Sequence, residues 1–287
     1  MHKLILIDGD ILVYNIAFSV EIPIYVVGSR SYVTRGKADA HGKLIGQEVR
    51  KRLNVGSFDL AKDKLIQKME KIFSDLGTRK YKMFITHSKV KQNFRNEIAT
   101  LMKYKGNRTQ ERPFWYGKMR THLVEDWGAI LVDGQEADDA IGIEQYKIAA
   151  EKGNFDQTYI ASIDKDLMIL EGEHYHLDKH IITYISHEDG LKRFYGQLLT
   201  GDATDNIPGL VRCLKLQGRE EEAKKLVYSR PGYIKKYNEY CLDHPASQCY
   251  NYVVGMYLHY EIQQKIIEEI GQLLWIRRKE GEMWQLH

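Results

Sequence analysis

Over its first two-thirds the chain alternates short apolar runs with amphipathic stretches. Residues 3–7 (KLILI), 81–86 (YKMFIT), 129–132 (AILV), 158–163 (TYIASI) and 180–186 (HIITYIS) have strand-like length and β-type composition. Helical patterns separate them: residues 11–18, a helix capped by Ser57 and stopped at Gly77, and residues 138–152. Residues 22–56 are less regular, and IPIYVV, Gly28-Ser29 and SYVT predict a hairpin followed by a polar stretch with glycines. Residues 89–127 read as helical but interrupted at Gly106-Asn107 and Pro113. Beyond residue 190 the pattern becomes helical, near 190–200, 219–229, 232–241 and 249–271, and the tail LLWIRRKEGEMWQL predicts a closing hairpin. The expected fold is α/β with a mainly parallel sheet in residues 1–190. Residues 191–287 are expected to be mainly helical, with terminal strands packing back on the core.

Composition narrows the class. With 19 Tyr, 8 Phe and 4 Trp in 287 residues, the chain has ample apolar area for a core, which excludes a disordered protein. No window of 18 uncharged apolar residues occurs, and Met1–Ile7 runs directly into Asp8 and Asp10, so neither a membrane span nor a signal peptide is expected. Cys213, Cys241 and Cys249 are odd in number and lack CxxC spacing. They fit a reducing cytoplasm and argue against a disulfide framework or a structural zinc site.

In sheets of this type ligands bind beyond the carboxyl ends of the strands, which makes the placement of acids informative. Asp8 and Asp10 follow the first strand, Glu136, Asp138 and Asp139 the third, Asp164 and Asp166 the fourth; Asp202 and Asp205 sit in GDATDN. Any one of them alone reads as a helix cap or turn residue. Acids at three strand ends together do not. Crowded carboxylates repel and raise one another's pKa, and a divalent cation relieves the crowding. An oxygen-only donor set suits Mg²⁺ or Mn²⁺, and two such ions about 4 Å apart are a common device for in-line attack on a phosphodiester. Asp10, beside a helix start, is also explained as a cap, and Asp139 points differently from Asp138 on the same helix.

Charge is unevenly distributed. Residues 89–120 carry nine basic and two acidic side chains, whereas residues 133–205 carry six basic and sixteen acidic ones. Within the basic arm, KYKGNR (103–108) offers Tyr104 to stack on a base, with Lys105 and Arg108 to neutralise phosphates. Lys89, Lys91 and Lys103 add general attraction for a polyanion. A solvated basic helix face would have the same composition; the position of this arm between two strands of an acid-crested sheet favours the nucleic-acid reading.

Five segments, ILIDGD (5–10), KYKGNR (103–108), EADD (136–139), SIDKD (162–166) and TGDATDNIPG (200–209), occur in an order that resembles the flap endonuclease/5′–3′ exonuclease family, above all its bacteriophage members. The resemblance implies a PIN-like α/β domain, a helical arch at 89–127 and a helix–hairpin–helix-type element that grips duplex DNA. It also implies two Mg²⁺ or Mn²⁺ ions. Asp8, Glu136, Asp138, Asp164, Asp166, Asp202 and Asp205 fall on the family's metal-binding carboxylates, with Asp139 a further acidic position of the motif. Lys105 and Arg108 fall on the arch residues that contact the scissile phosphate. The implied activity is hydrolysis of branched or duplex DNA with a free 5′ end, leaving a 5′-phosphate and a 3′-hydroxyl, in phage replication or repair in the host cytoplasm. A ribonuclease acting on RNA or RNA–DNA hybrids, and a weakly catalytic binder of branched DNA, are the alternatives on the same fold.

Two departures from the family pattern stand out. After the second strand the family has a metal-binding Asp where this chain has His87, a better partner for Mn²⁺ than for Mg²⁺ unless it hydrogen-bonds a neighbouring carboxylate instead. After TGDATDNIPG the usual GxG hairpin is replaced by LVRCLKLQGREEEAKKL, which alters the duplex-binding element and any monovalent-ion site there.

Overall fold

The computed structural model describes residues 3–87, 93–109 and 111–287. Lys89 and Lys91 lie outside the described residues. The chain divides into two units, one of Met1–Asp8, Thr78–Gln110 and Ile130–His287, the other of Gly9–Gly77 and Glu111–Ala129. This differs from the expected boundary at residue 190.

The first unit is built on a six-stranded sheet. Its strands are β1 (Leu4–Asp8), β5 (Tyr81–Thr86), β6 (Ile130–Val132), β7 (Thr158–Ser162), β8 (Gly172–His176) and β9 (Ile181–Ile185), in the order β6-β5-β1-β7-β8-β9. All neighbours are parallel except β9, which runs antiparallel on the edge beside β8. β1 is central and its Ile5, Leu6 and Ile7 are completely buried, as expected of a strand covered on both faces. Asp8 stands level with Phe84 of β5, and Ile7 with Ala161 of β7, so these parallel strands end on one edge.

The five predicted sheet strands and five of the predicted helices are met within two residues. The helix α6 (Ala137–Lys152) follows β6, and α7 (His187–Thr200) starts where Ser186 accepts the Asp189 amide. Strand β8 falls in EGEHYH, too polar to be read as a strand; His174 and Tyr175 are nevertheless buried there. After α7 the short strands β10 (Gly201–Asp202) and β11 (Ile207–Pro208) pair across a turn. Gly209 lies so close to this turn that a Cβ would come within 2.1 Å of the Thr200 carbonyl carbon. Then α8 (Leu210–Leu216) and α9 (Glu220–Tyr228) form a helix–turn–helix in place of the altered hairpin, followed by α10 (Tyr233–Asp243), α11 (Ala246–His259) and α12 (Gln264–Leu274). The run predicted as one helix over 249–271 is two, parted at Glu261, whose φ of 55° cannot continue a right-handed helix.

The predicted terminal strands do not form. No strand follows β11 among the described residues. The tail instead makes a turn in which Glu282 accepts from the Trp275 indole and the Arg278 amide. It still packs on the core: Trp275, Ile276 and Trp284 are buried, and Phe194 of α7 meets both indoles edge-on. One continuous core runs from Leu6 and Ile160 of the sheet through Phe194 and Tyr257 to Trp284, and so the helical region belongs to the same unit as the sheet.

The second unit holds α1 (Gly9–Ser19), α3 (Phe58–Leu76) and α5 (Tyr116–Glu125) with a small antiparallel sheet. In α3, Ser57 accepts the Leu60 amide at 3.1 Å, Ala61, Leu65, Met69, Ile72, Phe73 and Leu76 line the buried face, and Gly77 ends the helix at φ 64°. The small sheet has the order β3-β2-β4, from β2 (Glu21–Val27), β3 (Arg30–Tyr32) and β4 (Arg50–Val55), with α2 (Arg35–Ile45) between the last two. The hairpin was expected; α2 and β4 were not. β4 reads RKRLNV and is almost wholly exposed, so its pairing with β2 rather than any apolar pattern makes it a strand. The stretch expected as one arch, 89–127, is shared between the units: α4 (Phe94–Ile98) and the turns to residue 109 lie in the first, α5 in the second.

Gly271 of α12 is where the tail presses closest. A Cβ there would fall 2.0 Å from Cε3 of Trp284. Gly271→Ala is therefore expected to cost about 1–3 kcal/mol by overpacking. Urea denaturation would show this as a lowered midpoint, accompanied by a red shift of indole emission as Trp284 is displaced; an unchanged midpoint and spectrum would show that the tail does not depend on this contact.

Candidate active site

Asp8 ends β1, and its position is fixed by the neighbouring strand. The Ser162 hydroxyl at the end of β7 donates to Asp8 Oδ2 at 2.8 Å and accepts the Asp164 amide at 2.9 Å. The Asp166 amide in turn donates to Asp164 Oδ1 at 2.9 Å. From the other side the Ala137 amide donates to Thr86 Oγ1 at the end of β5, which sets the N-terminus of α6 beside the strand ends. Asp138 lies in that first helical turn. The GDATDN turn contributes Asp202, whose Oδ1 accepts the Thr204 and Asp205 amides at 2.6 and 3.3 Å.

Seven of the predicted carboxylates converge here and fall into two groups. Glu136 and Asp205 are engaged by cations: Lys105 bonds Glu136 and lies 3.5 Å from Asp205 Oδ2, and Arg108 donates to Asp205 Oδ1 at 2.6 Å. The Tyr104 hydroxyl lies 2.9 Å from Asp205 and 3.0 Å from Glu136, and Asn93 donates to Glu136 at 3.0 Å. Burial alone would push the Glu136 carboxyl up, but Lys105 and Arg95, with hydrogen bonds from Lys105 and Tyr104, hold it down at about 2. For Lys105 the same balance runs the other way: burial disfavours its charge, yet Glu136 and Asp205 outweigh that and raise its pKa.

The remaining group is short of positive charge. Burial, then the charges of Asp8, Asp164 and Glu136, push the Asp138 carboxyl well above the usual range. Asp164 is raised by burial and by Asp205 and Asp202. Asp166 is pushed up to about 7 by burial and by Asp164 and Asp202. Among the described residues no three His, Cys, Asp or Glu side chains already stand as a cage for an ion. The donor chemistry nonetheless suits a hard divalent cation: carboxylate oxygens in excess of neighbouring positive charge, and beside them Gln197. Its amide donates to Asp166 while its buried Oε1 has no hydrogen-bond partner among the described residues.

The basic turn is held against the acidic one by hydrogen bonds to main-chain carbonyls. The Lys105 amide donates to the Asp205 carbonyl at 2.8 Å, Asn206 donates to the Lys103 carbonyl at 2.9 Å and Asn107 to the Ala203 carbonyl at 2.6 Å. Lys105 itself adopts φ 53°, a conformation uncommon outside glycine. KYKGNR is thus a turn and not a helix face. Sequence reasoning missed Ser162, Asn93, Asn107, Asn206 and Gln197, none of which carries a local signal apart from the two asparagines flanking glycine or aspartate.

Two assignments change, those of Tyr104 and Asp139. Tyr104 is no stacking platform: its ring is 5% exposed in the core, and its hydroxyl serves the carboxylates. Asp139 is not part of the gathering. It is completely buried, caps the Glu136 amide at 3.1 Å and forms a two-pronged ion pair with the equally buried Arg95 at 2.5 and 2.9 Å. Asp10, in the first turn of α1, pairs with Arg120 at 3.0 Å within the second unit. His87 places Nδ1 3.6 Å from the exposed Asp133 carboxylate, and Lys103 is exposed.

No family model matches this chain, and no curated protein matches it. Solved structures do. A flap endonuclease of bacteriophage T5, in a pseudo-enzyme–product complex with DNA and metal ions, superposes with a TM-score of 0.50 at 14% identity, over 93% of this chain and 88% of that one. The chain has the 5′-nuclease fold. A mutant 5′-exonuclease of T5 aligns at TM-score 0.48 and 12% identity, over 94% of this chain and 88% of that one. No described helix is long and apolar enough to cross a membrane.

The neighbouring acids 138 and 139 should separate in experiment. Asp139→Ala leaves the Arg95 guanidinium buried and unpaired, and should cost about 3–5 kcal/mol in urea denaturation. Asp138→Ala removes one of several crowded anions and should cost nothing in the metal-free protein. Equal effects would deny the structural role given to Asp139.

A second expectation follows from Asp166. Its folded pKa, about 7, lies above the ordinary 3.8, so between those values the native state binds more protons than the unfolded one. Stability of the metal-free protein should therefore fall as pH rises through that window. Asp166→Asn should flatten the fall, measured as urea midpoints across the range. A slope the same in both proteins would place the retained proton elsewhere.

Proposed function

We propose that this protein is a divalent-metal-dependent 5′-nuclease that hydrolyses DNA phosphodiesters, as a 5′–3′ exonuclease or flap endonuclease leaving a 5′-phosphate and a 3′-hydroxyl. The observation that carries the reading is the convergence of Asp8, Glu136, Asp138, Asp164, Asp166, Asp202 and Asp205 at the carboxyl edge of the sheet, with Lys105 and Arg108 bonded into the same cluster. A protein that only bound DNA would gain nothing from so many anions facing phosphate. The T5 neighbour of the same fold was crystallised with DNA and metal ions, which agrees with this choice of substrate and cofactor.

The seven carboxylates are the residues that would hold Mg²⁺ or Mn²⁺, two ions in this reading. Bound there, divalent ions supply the positive charge that activates water and stabilises the departing oxygen. The chain's own contributions are distinct. Ser162 orients Asp8, Asn93 and Tyr104 orient Glu136, and Gln197 orients Asp166. Lys105 and Arg108 bring fixed positive charge to where a phosphate would lie and stabilise the charge that develops on its oxygens. The exposed Lys103 adds non-specific attraction. DNA with a free 5′ end, duplex or branched, is the proposed partner, and replication or repair in an infected cell the proposed setting.

The test uses 5′-labelled flap and duplex DNA, with matched RNA and RNA–DNA hybrids, in Mg²⁺, Mn²⁺ or EDTA. Metal-dependent cleavage of DNA is expected, with Asp164→Ala inactive but still folded. Lys105→Ala should lower the single-turnover rate by at least tenfold while changing affinity much less, since its charge acts mainly in the transition state. Cleavage confined to RNA would make the protein a ribonuclease, and wild-type cleavage by Asp164→Ala would end the metal reading.

A further inference from the structure

The sequence pattern of the cysteines argues against disulfides, but the fold brings two of them together. Cys241 lies in the last turn of α10 and Cys249 in the first turns of α11, with seven residues between them. Their sulfurs are 2.8 Å apart, and both are free thiols. A disulfide requires about 2.05 Å, so closing the bond takes a shift of less than about 1 Å. The approach is held by its surroundings. Tyr240 stacks on His244 with ring centroids 3.8 Å apart and meets Tyr252 of α11 at 4.9 Å, fixing the corner through which α10 turns into α11. Cys249 Sγ also stands 3.7 Å from the His244 carbonyl oxygen.

We propose that Cys241 and Cys249 are a site of reversible oxidation, forming an intramolecular disulfide by exchange with a small-molecule disulfide such as oxidised glutathione. This goes beyond the nuclease reading and does not depend on it. Cys241 is half-buried and Cys249 fully buried, so Cys241 is the sulfur that the reagent reaches. Its thiolate attacks one glutathione sulfur, and the other leaves as glutathione. Cys249 then gives up its proton and attacks Cys241 Sγ, releasing the second glutathione. Two protein thiols lose two protons and two electrons, and the glutathione disulfide takes up both. Burial, together with the contact to Cys241, pushes the Cys249 thiol up to about 12, consistent with its reacting second. The bond would clamp the helical pair that braces α7, where the Tyr237 hydroxyl donates to the Lys192 carbonyl at 2.6 Å.

The experiment holds the whole native chain in glutathione buffers from reduced to oxidised, quenches with acid, alkylates and weighs the intact and digested protein. Wild type and Cys213→Ser should each lose two hydrogen masses, with the link mapped to 241 and 249. Cys249→Ser should instead keep one glutathione on Cys241. The oxidised wild type should melt about 5 °C higher than the reduced form, as expected for closing a short loop, and a dithiol reductant should reverse both changes. Wild type that still alkylates at both 241 and 249 after oxidation overturns the proposal, and so does a link that includes Cys213.

Discussion

Holding several carboxylates in one small volume is the constraint to which the rest of the first unit answers. The parallel sheet ends β1 and β7 on one edge, the start of α6 adds Asp138, and the turn after α7 adds two more acids. Without compensating charge such a group would drive itself apart or retain protons. Both responses are visible. Lys105 and Arg108 are bonded to Glu136 and Asp205, while Asp138, Asp164 and Asp166 are pushed toward the protonated form. The hydrogen bonds that lace the basic turn to the acidic one, one from the Lys105 amide and two from asparagine side chains, and the left-handed conformation of Lys105, follow from keeping a cation at that point.

Asp138 and Asp139 show how one residue step on a helix separates chemistry from architecture. Successive positions of α6 project about 100° apart, and only one of the two can face the strand ends. Asp139 faces the core, where Arg95 answers it and also donates to the Leu273 and Trp275 carbonyls. The Arg277 amide donates to Asp139 as well, at 3.1 Å. One buried ion pair therefore joins the basic arm, α6 and the C-terminal tail. Its role is to fix how these segments sit together more than to add net stability, because desolvation offsets much of the attraction between such charges.

The tail meets the same need by other means. It forms no hydrogen-bonded strands, yet two indoles and Ile276 enter the core, and Glu282 collects the donors of the turn. Its apolar residues were legible as buried, whereas the β form assigned to them was not: alternation over a few residues fits an extended segment whether or not a neighbouring strand is present to pair with it.

What the sequence determined by itself was local. Apolar runs located β1, β5, β6, β7 and β9, caps located α3, and acids after strands pointed to the edge where they do converge. These signals are written within a few residues of the element they describe. What the tertiary structure decided was partnership. β4 and β8 are polar strands made by their neighbours, Tyr104 turned from a surface ring to a buried donor, Asp139 left the acidic cluster for Arg95, and Cys241 came to Cys249. Each of these depends on a contact between distant or differently oriented residues, and a buried polar group takes its role from whichever partner satisfies it, which no pattern along the chain records.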